Sequence, residues 1–226
     1  MAKSVINLEN VWKTYTIGKI EVNALQGLTL DVKNGEFLAI MGPSGSGKST
    51  AVNMIGCLDV PTKGKISLDG HDISKLSESE LAQIRGKKIG FIFQQFNLIP
   101  TLTAMENIML PMIFQGVEES KRIKRSSELL SLVELKDRKY HKPTELSGGQ
   151  QQRVAIARSL ANNPEVIVAD EPTGNLDSKT GTNVLGFLRE LHKKEGKTII
   201  MVTHDASISK LAERTEFLRD GKLVKS

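Results

Sequence analysis

The apolar run Phe37-Leu38-Ala39-Ile40-Met41 leads straight into Gly42-Pro43-Ser44-Gly45-Ser46-Gly47-Lys48-Ser49-Thr50. No other feature of the chain narrows its fold as much. The segment meets the pattern G-x-x-x-x-G-K-[ST] at every required position. It predicts a buried strand, a glycine-rich bend, and a helix from Lys48 to about Leu58. Glycine lets the backbone turn so that successive N–H groups point inward. The helix adds its positive N-terminal end. Such a loop cradles phosphate. Lys48 can reach the β- and γ-phosphates of a nucleotide, and the Ser49 hydroxyl can ligate Mg²⁺.

The chain has 226 residues, which suits one domain with a lobe attached. With 39% hydrophobic and 25% charged residues, it can bury a sizeable core. The net charge of +5 suits a nucleotide, an anionic membrane surface or nucleic acid, and does not choose among them. Cys57 is the one cysteine, so no intrachain disulfide forms, which is compatible with a reducing compartment. Residues 1–7 lead into no signal-peptide core. The longest apolar run, Ile108 to Phe114, falls far short of the about 20 residues that span a bilayer. A soluble chain is expected, with any membrane role exercised through a partner.

Upstream of the phosphate loop the pattern reads as strands. Ile6, Leu8 and Val11 lie near alternation, and Leu28 to Val32 alternates cleanly. Asn34-Gly35 reads as a hairpin-type turn. Ile66 to Gly70 and Ile89 to Phe93 read as further short strands. Residues 97–160 differ: the patterns there are helical, with Ile123, Ser126, Leu130 and Val133 on one face. The charge run Glu118 to Arg125 reads as a solvated face. Beyond it, Val166 to Ala169 and Ile199 to Val202 read as buried parallel strands. Between them runs a helical pattern with Val184, Leu188 and Leu191. A final hairpin turns at Asp220-Gly221. The whole is an α/β core with an inserted helical lobe. Residues 1–96 and 161–226 supply the core and residues 97–160 the lobe.

Several other residues suit the chemistry that the loop requires. Val166 to Ala169 runs into Asp170-Glu171, which puts carboxylates where ligands bind in open α/β sheets. Asp170 is placed to hold Mg²⁺ through water. Glu171 is the candidate to polarise an attacking water, either by accepting its proton or by orienting it. His204 follows the strand Ile199 to Val202 and suits a hydrogen bond to a γ-phosphate or the water. Gln94 follows the strand Ile89 to Phe93 and suits Mg²⁺ or water. Tyr15, read as following the first strand, suits stacking on a base. Without the phosphate loop, each of these three would read as an ordinary loop or strand-edge residue.

A second glycine motif, Leu146-Ser147-Gly148-Gly149-Gln150, starts the helix that carries Val154, Ala157 and Leu160. Ser147 is a natural N-cap. Gly148 and Gly149 leave N–H groups open to an anion, and the Ser147 hydroxyl adds a donor. One nucleotide needs one cradle, so this second anion site calls for a separate explanation.

Taken together, these segments resemble the ATP-binding subunit of ATP-binding-cassette (ABC) transporters, in order along nearly the whole chain. Tyr15 matches the adenine-stacking aromatic and Gly42 to Thr50 the Walker A loop. Gln94 matches the Q-loop and Leu146 to Gln150 the signature. Val166 to Glu171 matches Walker B with its catalytic glutamate, Asn175-Leu176-Asp177 the D-loop, and His204 the switch histidine. The resemblance implies a P-loop core of mostly parallel sheet, an N-terminal antiparallel β part and an inserted helical subdomain. It implies ATP and Mg²⁺ as cofactors, with Lys48, Gln94, Glu171 and His204 as catalytic groups.

The resemblance also implies a homodimer that sandwiches ATP, with Ser147, Gly148, Gly149, Gln150 and Asp177 acting in trans. An integral membrane permease at the cytoplasmic face is the second partner, and no nucleic acid is expected. Gly56 to Gly64, Phe93 to Pro100 and Thr103 to Ile108 look like the lipoprotein-releasing and macrolide-export ATPases, close relatives of a cell-division ABC ATPase. The chain ends soon after its last hairpin, which fits an exporter-like or mechanotransmitting system. A P-loop GTPase is disfavoured, because no Asn-Lys-x-Asp segment is present. A soluble ABC ATPase acting on nucleic acid or the ribosome is the alternative. Its usual tandem cassettes or long coiled-coil insertions are missing here.

Overall fold

The computed structural model describes residues 3–224. Strands β1 (Ser4–Ile17) and β2 (Ile20–Lys33) form a long antiparallel hairpin, interrupted by bulges. They join β4 (Lys63–Leu68) and β5 (His71–Asp72) in a 4-stranded antiparallel sheet ordered β2-β1-β4-β5. The second sheet is 6-stranded and ordered β10-β9-β3-β8-β7-β6. Its parallel members are β3 (Phe37–Met41), β6 (Ile89–Ile92), β7 (Val166–Asp170), β8 (Thr198–Thr203) and β9 (Arg214–Arg219). An antiparallel strand, β10 (Lys222–Val224), closes one edge.

Of the parallel strands, β3, β6, β7 and β8 are mostly apolar because both faces are covered. Leu38, Ile40, Val166, Val168, Ile200 and Val202 share one core with the antiparallel sheet and helix α1 (Lys48–Ile55). Phe37, Ile92, Ile167, Ala169, Ile199 and Met201 share the other with the helical layer. That layer contains α3 (Ala104–Phe114), α4 (Glu119–Leu132), α5 (Gly148–Ser159) and α6 (Ser178–Glu195). On α6, Val184, Leu188 and Leu191 all face the core. Each such side chain contributes about 1.5–3 kcal/mol on burial. On α4, Ser126 and Leu130 are buried, as is Val133 at its C-cap, but Ile123 is exposed. Most of the charge run is exposed, with Arg122 and Arg125 half-buried.

Three sequence readings need correction. Asn34-Gly35 does make a turn, with Gly35 at φ 73. The strands it joins, β2 and β3, belong to different sheets and form no hairpin. Tyr15 lies inside β1, opposite Val22 of β2, rather than after the strand. The helix after the phosphate loop ends at Ile55, short of Leu58. One helix went unread: α2 (Glu78–Lys88), which buries only Leu81. The last hairpin is as read, with Asp220 and Gly221 both at positive φ (48 and 74), the geometry of a type I′ turn.

Candidate nucleotide-binding and catalytic site

Gly45 and Gly47 adopt left-handed φ values of 77 and 99, which bend the loop between β3 and α1. Gly47 occupies the N-cap of α1, with no side-chain cap and no acidic residue in the first turn. The first N–H groups of the helix are therefore left for an anion. The Asp220-Gly221 turn braces the loop, where Gly221 N–H donates to the Ser46 carbonyl at 2.9 Å. Lys48 Nζ rests on the loop's own carbonyls, 2.7 Å from Gly42 and 2.8 Å from Pro43. Ser44, Gly45 and residues 47–50 line an open depression of about 490 Å³. Val22 to Ala24 and Gln26 of β2 and the Asp220-Gly221 turn complete its walls.

Strand register gathers the remaining groups. Met41 lies level with Thr203, and Asp170 with Val202. On the other side of β7, Ala169 pairs with Ile92. The segments that open at Gly42, His204, Glu171 and Phe93-Gln94 thus leave neighbouring strands at one carboxyl edge. This is where ligands sit in such sheets.

Glu171 stands at φ 46, unusual for a residue with a side chain. Its Oε1 accepts from the His204 backbone N–H at 3.0 Å and from the ring Nδ1 at 2.7 Å. The Glu171 side chain is 16% exposed and that of His204 74%, so the histidine is the partner free to swing. Burial pushes the Asp170 carboxyl above its usual range and neighbouring Glu171 adds to this, against the pull of Lys48. Gln94 is tied to the loop after Glu171, because Asn175 Nδ2 donates to its carbonyl at 2.9 Å.

Tyr15 is outside the lining of the depression. Its hydroxyl lies 3.3 Å from Asp59 Oδ2, and Lys13 Nζ is 5.2 Å from its ring centre. The sequence reading missed Lys13 and Asp59. Their 2.6 Å ion pair holds the ring from one side.

Ser147 caps α5 in a full capping box with Gln150. Gly149 packs so close to Thr180 of α6 that a Cβ there would collide with it. Asp177 caps α6, and hydrogen bonds from Thr180 and Lys179 hold its carboxyl below the usual range. No residue from 146–150 lines the depression at Lys48. The run Ile108 to Phe114 divides: Ile108 and Met112 are buried, whereas Ile113 and Phe114 are 46% and 79% exposed.

The profile of the ABC transporter family matches residues 25–174. The chain belongs to the ABC transporter ATP-binding family. As an ABC ATP-binding subunit it is an ATPase that powers a membrane transporter. It is 53% identical over 223 residues to the uncharacterised ABC transporter ATP-binding protein MJ0796 of Methanocaldococcus jannaschii. That alignment covers 97% of this chain and 95% of the relative. A dimeric post-hydrolysis structure of the MJ0796 cassette, bound to ADP and Pi, superposes with TM-score 0.90 at 51% identity, covering 97% of each chain. The macrolide export ATP-binding/permease protein MacB of Brucella melitensis is 50% identical over 220 residues. The match takes in 97% of this cassette but 34% of the Brucella protein.

The cassette's residues fit the ATP and Mg²⁺ that its family implies. The N-terminus of α1 is open, and Lys48 is close enough to exchange carbonyls for phosphate oxygens. Asp170 carries a desolvated charge that a cation would relieve. Among the described residues, no cluster of three His, Cys, Asp or Glu could hold a metal unaided. Mg²⁺ needs few protein ligands when phosphates and water supply the rest. No described helix is long and apolar enough to cross a membrane.

Proposed function

We propose that this cassette binds MgATP in the depression at Lys48 and hydrolyses it within a homodimer. A permease at the cytoplasmic face of the membrane uses the cycle for export of the lipoprotein or macrolide type, or for mechanotransmission. The observation that carries the dimer is the separation of the two anion sites: Ser147 to Gln150 contribute nothing to the depression that holds Lys48. The dimeric MJ0796 cassette supports the same reading.

In this mechanism Lys48 and the α1 N–H groups hold the β- and γ-phosphates and stabilise the transferred charge. Ser49, Gln94 and, through water, Asp170 would hold Mg²⁺, which would supply positive charge to offset that of the phosphate oxygens. Glu171 polarises the water for in-line attack, and His204 turns from Glu171 toward the γ-phosphate. Tyr15, backed by Lys13, stacks on the adenine. Ser147, Gly148, Gly149 and Gln150 close over the partner's ATP, with Asp177 beside them.

Replacing Ser147 by alanine tests the assignment. Loss of the cap costs about 1 kcal/mol of stability, and nucleotide binding by the single chain stays near parental. ATP-dependent dimerisation, followed by sedimentation, is expected to fall well below that of the parent. Unchanged dimerisation counts against a role in trans. For the permease, exposed Ile113 and Phe114 supply a docking face on α3, the helix that also lends Pro111 to a groove of about 320 Å³ with Leu58 and Phe93. A cysteine at position 114 is expected to crosslink to the permease. Cys57 will not compete, because burial pushes its thiol pKa up to about 12. Failure to crosslink in the assembled transporter argues against this face.

A further inference from the structure

Gln152 lies on α5, shortly after the Ser147 cap, and is fully buried. Its Nε2 donates to the Pro172 carbonyl at 2.5 Å. That acceptor fixes the amide's orientation, since a flipped amide would set Oε1 against a carbonyl oxygen. The Oε1 has no hydrogen-bond partner. A buried amide oxygen left unpaired is costly, so an apolar side chain of the same size would pack there with less penalty. What the glutamine adds is its grip on Pro172.

Pro172 follows Glu171. The Glu171 backbone is held on one side by β8, with its N–H donating to Val202 at 2.9 Å. Its carbonyl accepts from Gly174 N–H at 3.1 Å. The third hold on this left-handed bend, the bond to Pro172, comes from α5. Further along the same helix, Arg158 donates to the Asn97 carbonyl at 2.5 Å and to the Phe96 carbonyl at 2.8 Å, in the segment that follows Gln94. One stiff helix thus carries the signature cap at its start, grips the loop beside the catalytic carboxylate at Gln152, and grips the Gln94 segment at Arg158.

We propose that Gln152 is a positioning residue that transmits the placement of α5 to Glu171. A chain whose signature has closed on its partner's nucleotide then sets the carboxylate that faces its own. The inference rests on the reading of Ser147 as a site acting in trans. The two ATP sites are coupled within each chain through this hydrogen bond, which neither touches nucleotide nor contributes to its affinity.

The test compares Gln152→Met with Gln152→His in the full chain. Methionine keeps the volume and loses the donor. Histidine places an Nε2–H as many bonds from Cα as the glutamine's. Gln152→Met is expected to lower kcat roughly ten- to hundredfold, the scale of a misplaced catalytic group. KM and fluorescent-nucleotide affinity should stay parental, and the Hill coefficient for ATP should fall toward unity. Gln152→His should recover most of both. Parental kcat and Hill coefficient in Gln152→Met overturn the proposal. So do equal losses in both variants that track their thermal midpoints. Failure of a Glu171→Gln chain to dimerise with ATP would instead sink the reading of Ser147. If that dimer forms while Gln152→Met keeps parental turnover, the coupling alone is wrong.

Discussion

Glu171→Gln is expected to lower kcat by roughly 10²- to 10⁴-fold, the range that general acid–base groups supply, while ATP binding stays intact. The substitution keeps the shape of the side chain. A glutamine Oε1 still accepts from the His204 N–H and ring Nδ1, which now lie at 3.0 and 2.7 Å. The backbone bond to Val202 is untouched. What is lost is the charge and the ability to take a proton. Since the phosphate contacts at Lys48 and α1 remain, the ATP-bound dimer should accumulate. Phosphate release measures the first effect, and size exclusion with and without ATP the second. Undiminished hydrolysis would remove Glu171 from the mechanism.

Lys48→Ala is expected to lower kcat by about 10²–10³-fold, as when one donor to transition-state charge is removed, and to weaken nucleotide binding as well. The folded chain should tolerate the change. Lys48 Nζ binds only the Gly42 and Pro43 carbonyls, next to solvent, where water can replace it. A thermal midpoint near the parent, together with lost turnover, is the expected pairing. Lys48→Arg should not restore activity, because a planar guanidinium fork does not substitute for a compact ammonium in a cradle of backbone N–H groups. Recovery in Lys48→Arg would mean that positive charge alone is enough.

Elements whose signal is local were legible in the sequence. The strand and glycine loop at Phe37 to Thr50, the capped helix at Ser147, the apolar strands before Asp170 and His204, and the type I′ turn at Asp220-Gly221 each carry their own chemistry. Helix α2 was missed because it buries little more than Leu81 and so lacks a clear apolar period. Its Ser77–Glu80 capping box was the signal available. Asn34-Gly35 misled because a turn motif reports the bend and not which strands pair after it. The contact between Glu171 and His204 depends on β7 and β8 being neighbours, which is set by packing. Gln152 was passed over because the signature was read as ending at Gln150, and the importance of the next helical turn shows only where Pro172 meets it.

The strand that feeds the phosphate loop takes both of its sheet neighbours from segments far along the sequence. Phe37 of β3 pairs with Ile199 of β8, and Leu38 with Arg214 of β9. During synthesis from the N-terminus, β3 therefore waits with both edges unpaired until Thr198–Thr203 and Arg214–Arg219 have left the ribosome. Closing contacts of such long sequence separation is entropically costly and slow. A product truncated before β8 lacks both strands that flank the one feeding the cradle.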